Sequence, residues 1–141
     1  MSDTKAKLTL AIYVKGVSLD PIEITSLLGI DPSKSQHFGQ QRLTSTMRSI
    51  VAKTGLWAYL VESDTATVAE LVHQFAERFK DCTQKLNTLP NADEAYLDLF
   101  IAHDGDLNNG GEYFFELAHN DVLLLGQFGL PVRFTVASVR P

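Results

Sequence analysis

The stretch TVAELVHQFAERFKDCTQKLNTL, residues 67–89, determines how the rest of the chain must be arranged. Its apolar residues recur at steps of three and four, which places them on one side of an α-helix. This stripe consists of Val68, Leu71, Val72, Phe75, Phe79, Cys82, Leu86 and Leu89. An apolar stripe has to be covered, and a sheet formed by the sequence on either side would cover it. We therefore predict one long helix over residues 67–89, packed on one face of a sheet.

The flanking sequence alternates apolar and other residues with the period of two that strands have. We predict strands over residues 7–15, 47–52, 56–62, 94–103, 112–116 and 132–139. Apart from residues 47–52, the polar segment 33–54 shows little periodicity and is predicted to be a long loop.

Two shorter helices are marked by their end residues. Asp20 can accept hydrogen bonds from the free amides of a first turn, Pro21 suits the first helical position, and Gly29 suits a left-handed stop. The last helix is expected to begin with a cap at Asn120 or Asp121 and to run to about residue 128.

The order of these elements predicts an α+β fold. It matches a ferredoxin-like β-α-β-β-α-β core, extended by a C-terminal β-α-β unit, with a mainly antiparallel sheet and the long helix on one face. We expect a single domain over residues 1–141, with residues 1–6 as a disordered tail. The other face of the sheet is left open to a partner subunit, the last helix or a ligand.

Composition limits the partners and the compartment. The net charge of −5 and the pI near 5.2 argue against nucleic acid as the main partner, because phosphate binding needs a concentrated positive surface. A single cysteine, Cys82, rules out an intrachain disulfide and favours the cytoplasm. Cys82 lies on the apolar stripe and is expected to act as a small buried hydrophobe. No segment reaches the ~20 apolar residues that span a membrane, so no membrane association is expected.

The segment 104–110 allows two interpretations. Its Asp and Asn residues, its Gly residues and the later Glu116 are typical of a calcium-binding loop. However, the spacing is one residue too long before the Gly, and the flanks are predicted strands. A hairpin turn is therefore favoured, and we expect neither a metal centre nor a cofactor.

The remaining polar and aromatic residues form no recognisable catalytic or metal motif. The four histidines His37, His73, His103 and His119 have no metal-ligand spacing. Trp57 and Tyr59 share one strand face, where aromatic residues can stack bases, but interleaved Lys or Arg residues are missing, so a packing role is favoured. Residues 34–53 form the only locally basic region. That region can bind an anion or an acidic protein, although a solvated loop is the simpler interpretation.

Several motifs are shared with a known family. Residues 19–32 read Leu19-Asp20-Pro21-x-Glu23-Ile24-Thr25-x-Leu27-Leu28-Gly29-Ile30-x-Pro32, and Gly55-Leu56-Trp57 follow on a strand. Near the other end stand Gly110-Gly111-x-x-x-Phe115-Glu116-Leu117 and then Gly129-Leu130. In these motifs the chain resembles, over nearly its whole length, the bacterial domain of unknown function numbered 4279. The resemblance implies fold and size but no established activity, so it transfers no catalytic residues.

The leading functional hypothesis is a non-enzymatic protein-interaction module, which forms a homo-oligomer or binds another protein through the open sheet face. An immunity-type protein that neutralises a toxin would suit the acidity, because an acidic surface can cover a basic active site. The alternative is a small-molecule-binding protein or small enzyme, with a pocket between segments 33–54 and 104–111. Its candidate ligand-binding residues are His37, Arg42, Trp57, His103, Asp104 and Asp106, and no residue is assigned a catalytic role.

Overall fold

A computed structural model describes residues 6–104 and 113–139 of the chain. The strands are β1 (Ala6–Gly16), β2 (Lys34–Gln36), β3 (Gln41–Leu43), β4 (Ser49–Val51), β5 (Gly55–Ser63), β6 (Glu94–Asp104) and β7 (Val132–Val139). The α-helices are α1 (Pro21–Leu28), α2 (Val68–Phe79) and α3 (His119–Gly126), and a 3-10 helix spans Thr83–Thr88.

Five strands form the main sheet in the order β2-β5-β1-β6-β7, with β1 at its centre. β1 is antiparallel to both of its neighbours, β2 is antiparallel to β5, and β7 runs parallel to β6. The crossover between the two parallel strands contains α3, as parallel pairing requires. The prediction of an α+β fold with a mainly antiparallel sheet is therefore confirmed.

The ends of α1 follow from local chemistry, as predicted. The Asp20 carboxylate accepts a hydrogen bond from the Ile22 N–H at 3.0 Å, and Pro21 occupies the first turn, where a free N–H is not needed. Gly29 ends the helix at φ 70° and donates its N–H to the Thr25 carbonyl at 2.8 Å.

Helix α2 ends at Phe79, so the prediction of one helix over residues 67–89 is wrong beyond that residue. Cys82 has a φ of −136°, outside the helical region, and Thr83–Thr88 form the tighter 3-10 helix. That segment contains two Thr and one Asn, which have low helix propensity. A turn of three residues still brings Leu86 and Leu89 onto the same side, so the whole predicted stripe is buried although the α-helix is not continuous.

The segment predicted as a long loop contains three short strands, which corrects the prediction for residues 33–54. β2 pairs with the first half of β5 at the edge of the main sheet, and β3 pairs with β4 in a separate two-stranded sheet. The predicted strand over residues 47–52 is present as β4. Three-residue strands are too short to show an alternating pattern, so the sequence did not reveal the other two. We call residues 38–53, which include β3 and β4, the hairpin arm.

The segment before α3 is extended but is not a strand over residues 113–118, contrary to the prediction for residues 112–116. Tyr113, Phe115 and Leu117 pack against the core, while Phe114 and Glu116 between them are exposed. The alternating sequence thus reflects one-sided burial of an extended chain without a pairing strand. The turn or calcium loop predicted for residues 104–110 lies outside the described residues from position 105 onwards.

All three α-helices lie on the same face of the main sheet. Apolar side chains of β1 and β6 on that face join those of α1, α2 and α3 in one core. The rings of Phe75 and Phe79 on α2 lie 6.3 and 5.8 Å from Phe128, which follows α3. Trp57 is completely buried in this core, and its indole N–H donates to the Thr25 hydroxyl on α1 at 3.0 Å.

Candidate functional site

The sheet face opposite the helices, called the open face, carries a cluster of aromatic and charged side chains. The register places Tyr13 beside Tyr96, Lys15 beside Glu94, and Asp98 beside Arg133. No helix of residues 6–104 and 113–139 packs on these side chains. We call these six residues the open-face cluster.

Tyr96 lies at the centre of the cluster and is held on several sides. The guanidinium carbon of Arg133 is 3.6 Å from the centroid of its ring, and Lys15 donates a hydrogen bond from Nζ to its hydroxyl at 2.8 Å. The ring of Tyr13 lies 5.4 Å away, tilted by 31°. As a result, only 6% of Tyr96 is exposed, although it lies on a face without a helix layer. These contacts hold the ring in a single orientation.

The titration of Asp98 and Tyr13 reflects this crowding. Partial burial raises the pKa of the Asp98 carboxyl, and the positive charges of Arg133 and Lys15 only partly oppose this rise. The pKa of Tyr13 is raised mainly by burial and further by Asp98 and Tyr96, with Lys15 opposing. The cluster therefore behaves as partly desolvated surface, although it faces outwards.

The charges of the cluster balance each other. Arg133 forms an ion pair with Glu94, and Lys15 is bonded to Tyr96, so most polar groups are directed at one another. Two cations and two carboxylates give the cluster no net charge. Glu94 and Arg133 are exposed, Tyr13, Lys15 and Asp98 are half-buried, and Tyr96 lies beneath them. The cluster therefore presents a charge-balanced surface ordered by a buried tyrosine, and it does not enclose a ligand in a cavity.

The structure does not bring together the described members of the predicted ligand site, which are His37, Arg42, Trp57 and His103. Trp57 is a core residue with a structural hydrogen bond. Arg42 lies exposed on the hairpin arm, whereas His103 is buried on the helix-covered side of β6. Among the described residues, the Nδ1 atom of His103 has no hydrogen-bond partner.

His37 and His103 belong to opposite ends of the sheet, so no pocket forms between them. His37 directly follows β2 and lies at the end of the sheet that contains Lys15. This position follows from the register, because Gln36 pairs with Leu56 and Leu56 pairs with Lys15. His103 pairs with Ala6 at the other end of β1, nine residues from Lys15, which is about 30 Å along a strand. Segment 33–54 thus begins at one end of the sheet and segment 104–111 at the other, and residues 105–111 lie outside the described residues. Asp104 ends β6 on the His103 side, and Asp106 lies outside the described residues.

Cys82 meets the expectation of a buried hydrophobe. It is 3% exposed, and burial raises the pKa of its thiol, with Lys85 opposing and Asp81 adding to the rise. A thiol in this setting is a poor nucleophile.

Sequence reasoning did not assign Tyr13, Lys15, Asp98 and Arg133 to a site. The alternating pattern sets Tyr13, Asp98 and Arg133 on the strand face opposite most of the large aliphatic residues, which is a usable signal. The missing information was the register, because the cluster is assembled from β1, β6 and β7, which lie far apart in the chain.

In the described part of the chain, no helix has the length and hydropathy that crossing a membrane would require. The same residues contain no group of three or more His, Cys, Asp or Glu side chains arranged as a metal site.

Comparison with known proteins gives one match. No curated protein and no solved structure matches the chain. The family model described as "Domain of unknown function (DUF4279)" matches residues 4–138, nearly the whole chain. The motifs at residues 19–32 and 55–57, which suggested this family, both fall inside the match. The chain therefore belongs to the DUF4279 family.

Proposed function

We propose that the chain is a non-enzymatic protein-interaction module that associates with a second copy of itself through the open face. The observation that carries this proposal is the charge-balanced aromatic cluster around Tyr96. Tyrosine and arginine are the residue types enriched at the energetic centres of protein interfaces. Here they are already ordered by Lys15 and Tyr13, so binding would cost little further side-chain entropy.

The balance of charges supports a second copy as the partner. In a two-fold symmetric contact the same patch meets itself, so a favourable patch needs both signs of charge. The open-face cluster has this property, with Lys15 and Arg133 close to Glu94 and Asp98. The basic active site of a toxin would instead be matched by a surface of one negative sign.

The internal bonding of the cluster supports binding over catalysis. An active site needs a group within reach of a bound substrate and a cavity that excludes water. The open-face cluster lies on a sheet surface, and its cations are engaged by Tyr96 and Glu94. The small-molecule alternative has no comparable observation in its favour, because His37 and His103 are far apart.

We also propose that the core belongs to the ferredoxin-like class. The neighbouring order β2-β5-β1-β6, with every pair antiparallel, supports this assignment. Helices α1 and α2 on one face support it as well, and α3 with β7 would be an extension of the core. Packing of two open faces would then use the side of such a sheet that its helices leave free.

The test is the oligomeric state of charge-reversed chains by sedimentation equilibrium. Every protein would also carry Leu43→Ser and Met47→Ser, so that exposed apolar side chains of the hairpin arm do not contribute. We expect the parent to dimerise and Arg133→Glu to weaken the dimer at least tenfold, about 1.4 kcal/mol. Lys85→Glu on the helix side makes the same charge change and should leave the dimer intact. A parent that stays monomeric at about 100 µM, where a dimer would need about 5.5 kcal/mol of association free energy, would refute the proposal. Equal effects of the two reversals would also refute it.

A further inference from the structure

We propose that the hairpin arm of one chain docks in the groove between α2 and β5 of a second copy. This contact uses neither Tyr96 nor Arg133, so it is independent of the association through the open face. Three features support it: the arm has no core of its own, its charge is opposite to that of the rest of the chain, and the groove lies beside an unpaired strand edge.

The arm exposes apolar side chains that its own sheet cannot cover. The exposed apolar residues of the arm are Phe38, Leu43, Met47, Ile50 and Val51. Met47 at the tip is 74% exposed and has a positive φ of 63°. β3 and β4 pair only with each other, and an isolated two-stranded sheet is marginally stable in water. Packing against another surface would stabilise the arm.

The apolar side chains lie on both faces of the arm. Leu43 pairs with Ser49 and Gln41 pairs with Val51, so Leu43 and Val51 lie on one face of the arm. The pair between them, Arg42 and Ile50, lies on the other face. A lipid surface would cover one face of such a ribbon, whereas a protein groove encloses both. This distribution favours a protein partner.

Charge favours this chain itself as that partner. Residues 38–53 contain Arg42, Arg48 and Lys53 and no acidic residue, a net charge of +3. The remaining residues contain nine Lys and Arg against seventeen Asp and Glu, a net charge of −8. A nucleic acid or an anionic membrane would attract the arm and repel the body, whereas a second copy offers an acidic body to each arm.

The size and lining of the groove suit the binding of an apolar side chain from the arm. Its volume is about 700 Å³, and Tyr59 and Val61 of β5 contribute half-buried apolar surface to it. Glu77 of α2 and Asp81, which follows the helix, contribute carboxylates to the groove. Glu77 is paired with Lys80 at 2.7 Å, and Arg78 also lines the groove. An apolar side chain of the arm tip, such as Met47, can pack on the β5 residues while the arm's cations approach the carboxylates.

The edge of β5 beside the groove is free to pair. β2 pairs with Leu56, Trp57 and Ala58 only, and the Leu60 N–H is bonded to the Ser33 hydroxyl. In the described chain, residues 61–63 therefore have no strand on their outer side. Unpaired strand edges accept extended segments by backbone hydrogen bonding, and the arm consists of such segments.

The first experiment measures association in chains that carry Arg133→Glu, which removes the open-face contact. We expect a dimer that weakens several-fold between 50 and 500 mM NaCl, because salt screens the attraction between arm and body. Adding Leu43→Ser and Met47→Ser should weaken it at least tenfold. Both side chains are exposed, so the fold should be unchanged by circular dichroism. A monomer at all concentrations would overturn this proposal and leave the open-face proposal untouched.

The second experiment locates the contact by energy transfer between two populations. One carries a donor dye through Ser45→Cys at the arm tip, and the other an acceptor through Asp64→Cys just after β5. Cys82 is buried and should not be labelled. We expect transfer that unlabelled chain competes away and that Leu43→Ser with Met47→Ser abolishes. Dimers that show no energy transfer would mean that the arm does not bind in the groove. Binding of the arm to phosphatidylserine vesicles in place of self-association would mean the same.

Discussion

Asp98 shows that the open face is partly desolvated. It is an acidic residue on a sheet face without a helix layer, yet burial is the largest influence on its carboxyl pKa. Its register partners are Ala11 on one side and Arg133 on the other. Because Ala11 is almost fully buried, the sheet is locally crowded at this point even without a covering helix.

This shift predicts a pH dependence of stability. A carboxyl with a raised pKa in the folded chain binds protons more tightly when folded. The free energy of unfolding therefore falls as pH rises from the ordinary value of 3.8 through the raised pKa. Asn does not ionise, so Asp98→Asn should be more stable than the parent at pH 7, with the difference vanishing as pH falls towards 3.8.

Urea unfolding of the monomer at a series of pH values measures this difference. Asp98→Glu is the control, since it keeps an ionisable group and should keep the pH dependence. If Asp98→Asn were less stable than the parent at pH 7, attraction to Arg133 and Lys15 would outweigh burial, contrary to the expected sign.

The role of Gly16 is only partly visible in the sequence. Its place after an alternating run predicted the end of the first strand, and β1 does end there. A second requirement for glycine at this position comes from a distant part of the chain. A Cβ on Gly16 would clash with the Asn91 carbonyl oxygen. A contact between residues so far apart in sequence leaves no local pattern.

At the scale of elements, the start of α1 was predictable because its signal is local, whereas the predicted cap of the last helix at Asn120 or Asp121 is wrong. Helix α3 begins at His119 after Ala118, and the Asp121 carboxylate accepts the Ala118 N–H at 3.0 Å from within the first turn.

Asp20 caps α1, and Pro21 is its first residue. Helix α2 starts equally sharply: the Thr67 hydroxyl accepts the Glu70 N–H, and the Glu70 carboxylate accepts the Thr67 N–H, both at 3.1 Å. The end of α2 was not predictable from the apolar stripe, because α and 3-10 turns both continue it.

The reciprocal cap on α2 makes a specific stability prediction. Thr67→Ala removes the acceptor for the Glu70 N–H and should lower the free energy of unfolding by about 1 kcal/mol. Thr67→Ser keeps a hydroxyl in the same place and should cost much less. Urea unfolding followed by far-UV circular dichroism measures both changes, and equal losses would mean that the methyl group, not the hydroxyl, provides the stabilisation.

At the scale of the whole molecule, the alternating strands and the stripe together predicted the α+β class and the mainly antiparallel sheet. They did not predict the register between the strands, and the candidate site depends on that. Tyr13, Tyr96 and Arg133 come from three strands, and only the β1–β6–β7 register brings them together. For the same reason the predicted site combined His37 and His103, which the register places near opposite ends of β1.

Because the chain has a folded body and a separate arm, an Ile→Ala substitution should change the free energy of unfolding by different amounts in the two parts. Ile12 is fully buried in the central strand, so Ile12→Ala should cost roughly 2–5 kcal/mol. Ile50 lies on β4 of the arm and is 40% exposed, so Ile50→Ala should change stability by no more than about 0.5 kcal/mol.

Chemical unfolding at a concentration where the chain is monomeric tests the pair, since both variants delete the same atoms. Comparable losses would mean that the arm shares the cooperative core, against the view of it as an appended element.

The base of the hairpin arm has a consequence for protein engineering. The Gly39 N–H donates to the Ala52 carbonyl at 2.8 Å, and the Ala52 N–H donates to the Gln40 carbonyl at 2.9 Å. The arm is thus closed at its root by its own backbone before it reaches the main sheet. We expect that residues beyond this closure can be shortened, lengthened or exchanged for a foreign peptide without altering the five strands of the main sheet. This chain would therefore serve as a display scaffold whose loop is anchored at both ends by backbone hydrogen bonds.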